Sequence, residues 1–370
     1  MTNTHSFAEF AAALRDWFRR ADESFPTINL PFGELALELF RLQFQHNAVY
    51  RRICEARGVT PENVRDWTAI PVVPTSAFKE LELTSVPLNE RTAVFCSSGT
   101  TKQIPSRHCH SVESLFTYEC SLVPWFRRHV LPEWSERAAF MDFVALTPPP
   151  ADAPHSSLAH MFATVQREFG PRETVFTGSV GADGAWQIDF TATQRALEAA
   201  IAKAEPVVLL GTAFSFVHLC DALDERKLTL RLPPGSRVME TGGYKGRSRE
   251  LPKAQLHAML ANRLEVSPSS IVCEYGMSEL SSQAYDGCAG SDQPRVFRFP
   301  PWARARVISP ETGAEVADGE TGLLQVFDLA NVWSVLAIQT EDLAVRRGEG
   351  FELVGRAGQA EPRGCSLMPA

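Results

Sequence analysis

The 370-residue sequence predicts an α/β fold, a mainly parallel sheet flanked by helices with a small β-rich end piece, and three observations carry that reading. Short apolar runs alternate with helix-period stretches from about 92 to 276, and such alternation requires crossovers between parallel strands. From about 296 onward the helical period disappears and only strand and turn patterns remain, as in an antiparallel sheet. Composition is globular, 44% hydrophobic against 22% charged, so the chain has the apolar material for a large core.

Taken in order, helical period predicts helices at about 6–24 and 33–57, the first with Phe7, Phe10, Leu14 and Phe18 on one face. The proline-punctuated "AIPVVPTSAFK" follows, and then the strand-like "TAVFCSS" and a helix near 111–129. Next come "AAFMDFVAL", a helix near 156–169, "ETVFTGSV", a helix at 191–204 and "PVVLLG". A helix at 214–226, "SRVMETGG", a helix at 248–264 and "SIVCEYG" complete the alternation. The end piece reads "RARVISPETGAEV", "TGLLQVFDL", "SVLAIQTEDLAVRR" and "GFELVGR". The expected organisation is a helical cover over 1–64, an α/β core over 65–295, a β-rich subdomain over 296–355 and a terminal arm over 356–370. That arm, "GRAGQAEPRGCSLMPA" from 355, is broken by Gly and Pro and reads as flexible.

A net charge of −8 argues against a nucleic-acid coat or an anionic-membrane binder, which need a surplus of Lys and Arg on one face. The eight cysteines are scattered without a CxxC and read as reduced thiols of a cytoplasmic protein. The longest near-apolar run, 207–220, is shorter than the ~20 residues of a membrane span. The N-terminus carries Glu9 and Asp16 and lacks the apolar core of a secretory signal.

Chemistry concentrates in four segments. "FCSSGTTKQIP" places Ser97, Ser98, Gly99, Thr100, Thr101 and Lys102 after a strand-like run, a set of hydroxyls, turning amides and one cation suited to phosphates. It is not a Walker loop, since no GK[ST] stands at the required spacing, and no GxGxxG opens a βαβ unit. "METGGYKGRSRE" offers Gly242 and Gly243 for close approach by a planar base. In "EYGMSEL", Tyr275 can stack on a base beside Gly276, and Glu279 can hold a hard cation such as Mg²⁺, a helix-cap acid being its other reading. "QTEDLAV" supplies Asp342 and "GR" supplies Arg356, a carboxylate and a guanidinium for ribose and phosphate.

The order of these segments resembles the adenylate-forming superfamily of acyl-CoA synthetases, adenylation domains and luciferases. More closely, "SSGTTKQIPSRH", "ETGGYKGRSRE", "YGMSEL", "DLAN", "TEDLA" and "EPRGCSL" resemble the LuxE family of acyl-protein synthetases, from about residue 65 to the C-terminus. The resemblance implies the large N-terminal domain of the adenylate-forming fold without the full C-terminal lid. It implies ATP and Mg²⁺: Ser97 to Lys102 on the β and γ phosphates, Glu279 on the metal, Asp342 on the ribose and Arg356 on the ribose or α-phosphate. With the lid lysine missing, either Lys102, Lys245, Arg247 or Arg363 replaces it or adenylation is slow. "GTAFSFVHL", with Phe214, Phe216 and His218, is the expected acyl pocket, core packing of the aromatics being the other reading. His108 and His110 flank the phosphate loop without an assigned role.

In that family the acyl group passes to a cysteine near the C-terminus, and "RGCSL" puts Cys365 in the matching place beside Arg363. The implied function is activation of a carboxylic acid, a fatty acid in the family, and transfer through Cys365 to an acyl-accepting reductase or carrier protein. Two alternatives stay open: a small-molecule acid ligase delivering to CoA, a carrier thiol or an amine, and a non-catalytic nucleotide-binding partner of a reductase.

Overall fold

The computed structural model describes residues 6–24, 30–97, 104–133, 141–170, 174–243 and 248–356. It begins with α1 (Phe7–Ser24), α2 (Phe32–His46) and α3 (Ala48–Ala56). The helical period expected across 33–57 runs through α2 and α3, but Asn47 divides them. Its backbone is extended and its side chain accepts the Tyr50 amide at 3.0 Å, the bond by which asparagine starts a helix. The expected stripe of α1 buries Phe10, Leu14 and Phe18.

Next come β1 (Val73–Pro74), α4 (Ala77–Glu80) and the hairpin of β2 (Ala93–Cys96) and β3 (Arg107–His110). The first strand-like run therefore does not enter the parallel sheet; it pairs antiparallel with "RHCH", from Ala93↔His110 to Cys96↔Arg107. The polar look of that partner hides it in the sequence. Helix α5 (Val112–Val130) follows at once, opened by a capping box between Ser111 and Ser114.

The alternating region gives β4 (Asp142–Ala145), α6 (Ser157–Phe169), β5 (Thr174–Phe176), β6 (Gly178–Val180), β7 (Trp186–Ile188) and α7 (Phe190–Lys203). It continues with β8 (Val207–Thr212), α8 (Ala213–Glu225), β9 (Arg237–Thr241), α9 (Lys253–Leu264), β10 (Ile271–Tyr275) and β11 (Ala284–Tyr285). One six-stranded sheet has the order β11-β10-β9-β8-β4-β5, parallel except for β11. Alternate residues face opposite helix layers. Val144, Leu209, Val238 and Ile271 pack with Leu197, Phe216 and Leu260, whereas Phe143, Val208, Met239 and Val272 pack with Phe126 and Phe162.

The end piece forms the second sheet from β12 (Ala303–Ile308), β13 (Thr321–Asp328), β14 (Ala337–Arg347) and β15 (Gly350–Arg356), all antiparallel. Strand β1 joins it in parallel through Val73↔Ile338 and Pro74↔Gln339. Ile70, Val73, Phe78 and Leu83, which the sequence reading grouped with the α/β core, thus lie in one cluster with α1–α3 and the second sheet. No helix among the described residues is long and apolar enough to cross a membrane. The parallel strands β8, β9 and β10 end at Thr212, Thr241 and Tyr275, and in open parallel sheets ligands meet these carboxyl ends.

Candidate active site

The β2–β3 hairpin brings the two ends of the expected phosphate loop together. The Ser106 amide donates to Ser97 Oγ at 2.9 Å and the Ser97 amide to the Ser106 carbonyl at 3.3 Å. Ser98, Gly99, Thr100, Thr101 and Lys102 lie between, outside the described residues. The hairpin is pinned to the Tyr275–Leu280 segment by two contacts. Ser106 Oγ lies 3.3 Å from Ser278 Oγ, and His108 Nδ1 lies 2.9 Å from the Ser278 carbonyl. A carbonyl only accepts, so Nδ1 carries the proton. Burial pushes the His108 pKa down to about 4, which keeps the ring neutral. Ser278 then donates to Glu279 Oε2 at 3.0 Å, so the expected phosphate loop and the expected metal ligand are joined by one chain of hydrogen bonds.

Three buried residues hold this segment from behind. Asp328 accepts the Ser281 amide at 2.9 Å, the Ser282 amide at 2.8 Å, the Ser282 hydroxyl at 2.7 Å and the Ala330 amide at 3.0 Å. Burial nonetheless lifts its pKa to about 6, against the pull of those donors. Asn331 Nδ2 donates to the Glu279 carbonyl at 2.9 Å, and Gln43 reaches from α2 to the Asn331 carbonyl at 2.8 Å. Sequence pattern alone does not mark Asp328, Asn331 or Gln43 as site residues. The signal was present for two of them in "DLAN", and an acidic residue followed by a buried asparagine inside an apolar strand end invites a search for backbone partners.

The third group is Tyr275, Asp342 and Arg356. Asp342 and Arg356 are register partners on β14 and β15. The Tyr275 hydroxyl donates to Asp342 Oδ2 at 2.8 Å, and Arg356 Nε stands 3.6 Å from Asp342 Oδ1. Burial raises the Asp342 pKa, while the Tyr275 hydroxyl and the Arg356 charge oppose the rise. The expectation that Tyr275 offers its ring face to a base needs correction: the ring is buried, with Phe297, Phe299 and Phe351 edge-on at 6.1, 6.2 and 5.4 Å. Its polar end positions Asp342 instead.

Strand β9 leads into Gly242, where a Cβ would meet nothing within 4 Å among the described residues, and Gly243, whose φ of +111° favours glycine. Lys245 and Arg247 are outside the described residues, as are Arg363 and Cys365. Between the two glycine turns sits Glu274. Its Oε2 accepts the Thr241 hydroxyl, and its Oε1 lies so close over Gly276 that any side chain there would strike it. Burial first, then the charge of Glu240 on the neighbouring strand, raises the Glu274 pKa to about 7, with Thr241 opposing. The folded state therefore holds a proton that the unfolded chain releases near pH 4.5, so the Glu274 contribution to stability is lost as pH rises from about 4.5 to 7, while His108, kept neutral by burial, acts in the opposite sense. Compared by urea unfolding across that window, the parent is expected to lose on the order of 3 kcal/mol relative to Glu274→Gln; a difference that stays constant with pH would take the titration away from Glu274.

The expected acyl-pocket aromatics separate. Phe216 is wholly buried in the cluster with Val144, Leu146 and Leu209, its ring against Gly211, so it is a packing residue. Phe214 is buried and His218 exposed, with ring centroids 6.3 Å apart on the first turns of α8. Among the described residues no three His, Cys, Asp or Glu side chains cluster as a ready metal site.

Similarity to known proteins extends over most of the chain. The family model "Acyl-protein synthetase, LuxE" matches residues 30–369. A long-chain-fatty-acid–luciferin-component ligase of Aliivibrio fischeri is 25% identical over 350 residues, covering 91% of this chain and 87% of that protein. Its counterpart in Vibrio harveyi is 26% identical over 339 residues, with 89% and 84% covered. Among solved structures, 2-hydroxyisobutyryl-CoA ligase in complex with 2-HIB-AMP and CoA superposes with a TM-score of 0.65 at 16% identity, over 91% of this chain and 70% of that one. ATP-bound MatB from Rhodopseudomonas palustris gives 0.50 at 16%, over 95% and 72%. These structures show the shared α/β fold of adenylate-forming enzymes.

Proposed function

Because the chain belongs to the LuxE family of acyl-protein synthetases, we propose that it activates a carboxylic acid with ATP at the seam between its two sheets and passes the acyl group to a thiol. The observation that carries this reading is the single hydrogen-bonded chain from Ser97 through Ser106 and Ser278 to Glu279, with Tyr275, Asp342 and Arg356 at its side. A carboxylate oxygen attacks the α-phosphorus, the bond to pyrophosphate breaks and an acyl-adenylate remains. Two anions must meet in that step, so positioning and charge neutralisation are what the protein has to supply.

Residue roles follow from place and chemistry. The loop opened by Ser97 would grip the β and γ phosphates, and Asp342 with Arg356 the ribose and α-phosphate side. Glu279 is a hard carboxylate next to that loop, and this fits Mg²⁺, which takes one or two carboxylates and fills its shell with phosphate oxygens and water. The metal would supply charge neutralisation. Gly242 and Gly243 give the open backbone a planar base can approach. Phe214 and His218 remain the candidates for the acyl side. In the second step a thiolate attacks the acyl carbon and AMP leaves; Cys365 is the proposed thiol, with a reductase or carrier protein as the final acceptor. The seven described cysteines are free thiols, which suits a reducing cytoplasm.

The test is a screen of carboxylic acids with ATP and Mg²⁺. Release of pyrophosphate and AMP, dependent on acid, and exchange of labelled pyrophosphate into ATP are the expected results. ADP as the only product across a broad panel, or no turnover of ATP, would remove the adenylation reading and leave a nucleotide-binding partner.

A further inference from the structure

Four polar side chains from different segments converge on the α5–α6 face of the parallel sheet beside Gly276. Glu274 lies over that glycine, and the Gln283 side chain packs against it, with Cγ 3.6 Å from where a Cβ would stand. Tyr285 is the register partner of Glu274 across β10 and β11, so both side chains leave the sheet on the same face. Tyr118 comes down from α5, its hydroxyl 3.5 Å from Gln283 Nε2. Burial first, and then the charge of the nearby Glu274 carboxyl, raises the pKa of both tyrosines. All four residues are more than nine-tenths buried.

This group is not internally satisfied. Among the described residues Gln283 Oε1 and the Tyr285 hydroxyl have no hydrogen-bonding partner, and Thr241 engages one oxygen of Glu274. Buried polar atoms are almost always paired. Two orphans beside a buried carboxyl, against the glycine of the Tyr-Gly-Met-Ser-Glu segment, would be a poor wall for a hydrocarbon chain, since alkane cannot meet their hydrogen-bonding needs. The unused capacity is mostly acceptor: an amide oxygen, a carboxyl oxygen and a phenol that both donates and accepts.

We propose that this chain selects an acid bearing a hydrogen-bond donor such as a hydroxyl group, in preference to bare hydrocarbon, and that Gln283, Glu274 and Tyr285 read that donor. The inference rests on the adenylation reading above and names its substrate class. A site built around hydrogen bonds rejects the analogue that lacks them far more strongly than an apolar pocket rejects an added hydroxyl.

Matched acids differing by one hydroxyl test it on the full chain: propanoic and lactic, benzoic and salicylic, decanoic and 3-hydroxydecanoic, read as kcat/KM for pyrophosphate release. The hydroxylated member of the best pair is expected to be favoured about 10-fold or more. Tyr285→Phe and Gln283→Leu are each expected to bring that ratio near one. Tyr285→Phe removes only an orphan hydroxyl, so its thermal midpoint is expected to hold or rise, and a lost preference then cannot be put down to unfolding. The proposal is overturned if the plain acid equals or exceeds its partner in every active pair, or if both variants keep the parental ratio. No release with any acid would overturn the adenylation reading itself and this inference with it.

Discussion

Glu279→Gln is expected to lower acid-dependent pyrophosphate release by about 10²-fold or more, the cost of losing a preorganised charge contact in a water-poor site. The fold should persist. Glutamine keeps the length of the side chain and an oxygen to accept the Ser278 hydroxyl, now at 3.0 Å, and the backbone carbonyl stays under Asn331. Only the charge disappears, and with it the hard oxygen a divalent cation prefers. The loss should deepen at limiting Mg²⁺, whereas the urea midpoint should move little. Asp342→Asn is the contrast: it keeps an acceptor for Tyr275 but removes the charge facing Arg356, so it should raise KM for ATP about tenfold with a smaller change in kcat. Full activity of Glu279→Gln at limiting metal would take the cation away from Glu279, and equal kcat losses in both variants would mean they report one structural defect.

Local chemistry was the legible part of the sequence. The alternation of apolar runs and helices places β8, β9 and β10 in one parallel sheet because each strand carries its own period and flanking turns. The four chemical segments also meet, Ser97 with Ser278 through Ser106, Thr241 with Glu274, and Tyr275 with Asp342 and Arg356. What the pattern could not give are contacts whose partners lie far apart in the chain. Gln43 and Asn331 are 288 positions apart, and no periodicity links them. Asp328 looks like any strand-end aspartate until Ser281 and Ser282 point their amides at it. Tyr275 misled for a related reason. An aromatic in a nucleotide motif reads as a stacking surface, but Phe351 from β15 and Phe297 and Phe299 from the segment before β12 enclose the ring and leave only the hydroxyl for the site. The split at Asn47 was readable in principle, since asparagine is a preferred helix start, and the strong apolar stripe on both sides obscured it.

Cys365→Ser is expected to abolish acyl labelling of the polypeptide while pyrophosphate exchange continues at the parental rate. Cys365 lies outside the described residues, and the argument runs from the last described one. Strand β15 delivers Arg356 to Asp342, at the proposed ribose side of the site. The nine residues from 357 to 365 can span at most ~30 Å when extended. A thiol on so short a tether is held at an effective concentration on the order of millimolar near the adenylate. Arg363, two positions away in the sequence, would favour the attacking thiolate over the thiol, whose ordinary pKa is ~8.5. Labelling with acyl donor and ATP should therefore rise with pH toward the thiol's pKa and be cleaved by hydroxylamine, while adenylation stays flatter. Serine keeps the shape but is a far weaker nucleophile at these pH values, so the two steps come apart in the variant: adenylate and pyrophosphate form, and the protein stays unlabelled. Truncation after residue 363 should give the same result. If Cys365→Ser labels as strongly as the parent, the acceptor is another thiol or a small molecule, and the chain is then a soluble-acceptor acid ligase in which the terminal cysteine has no part.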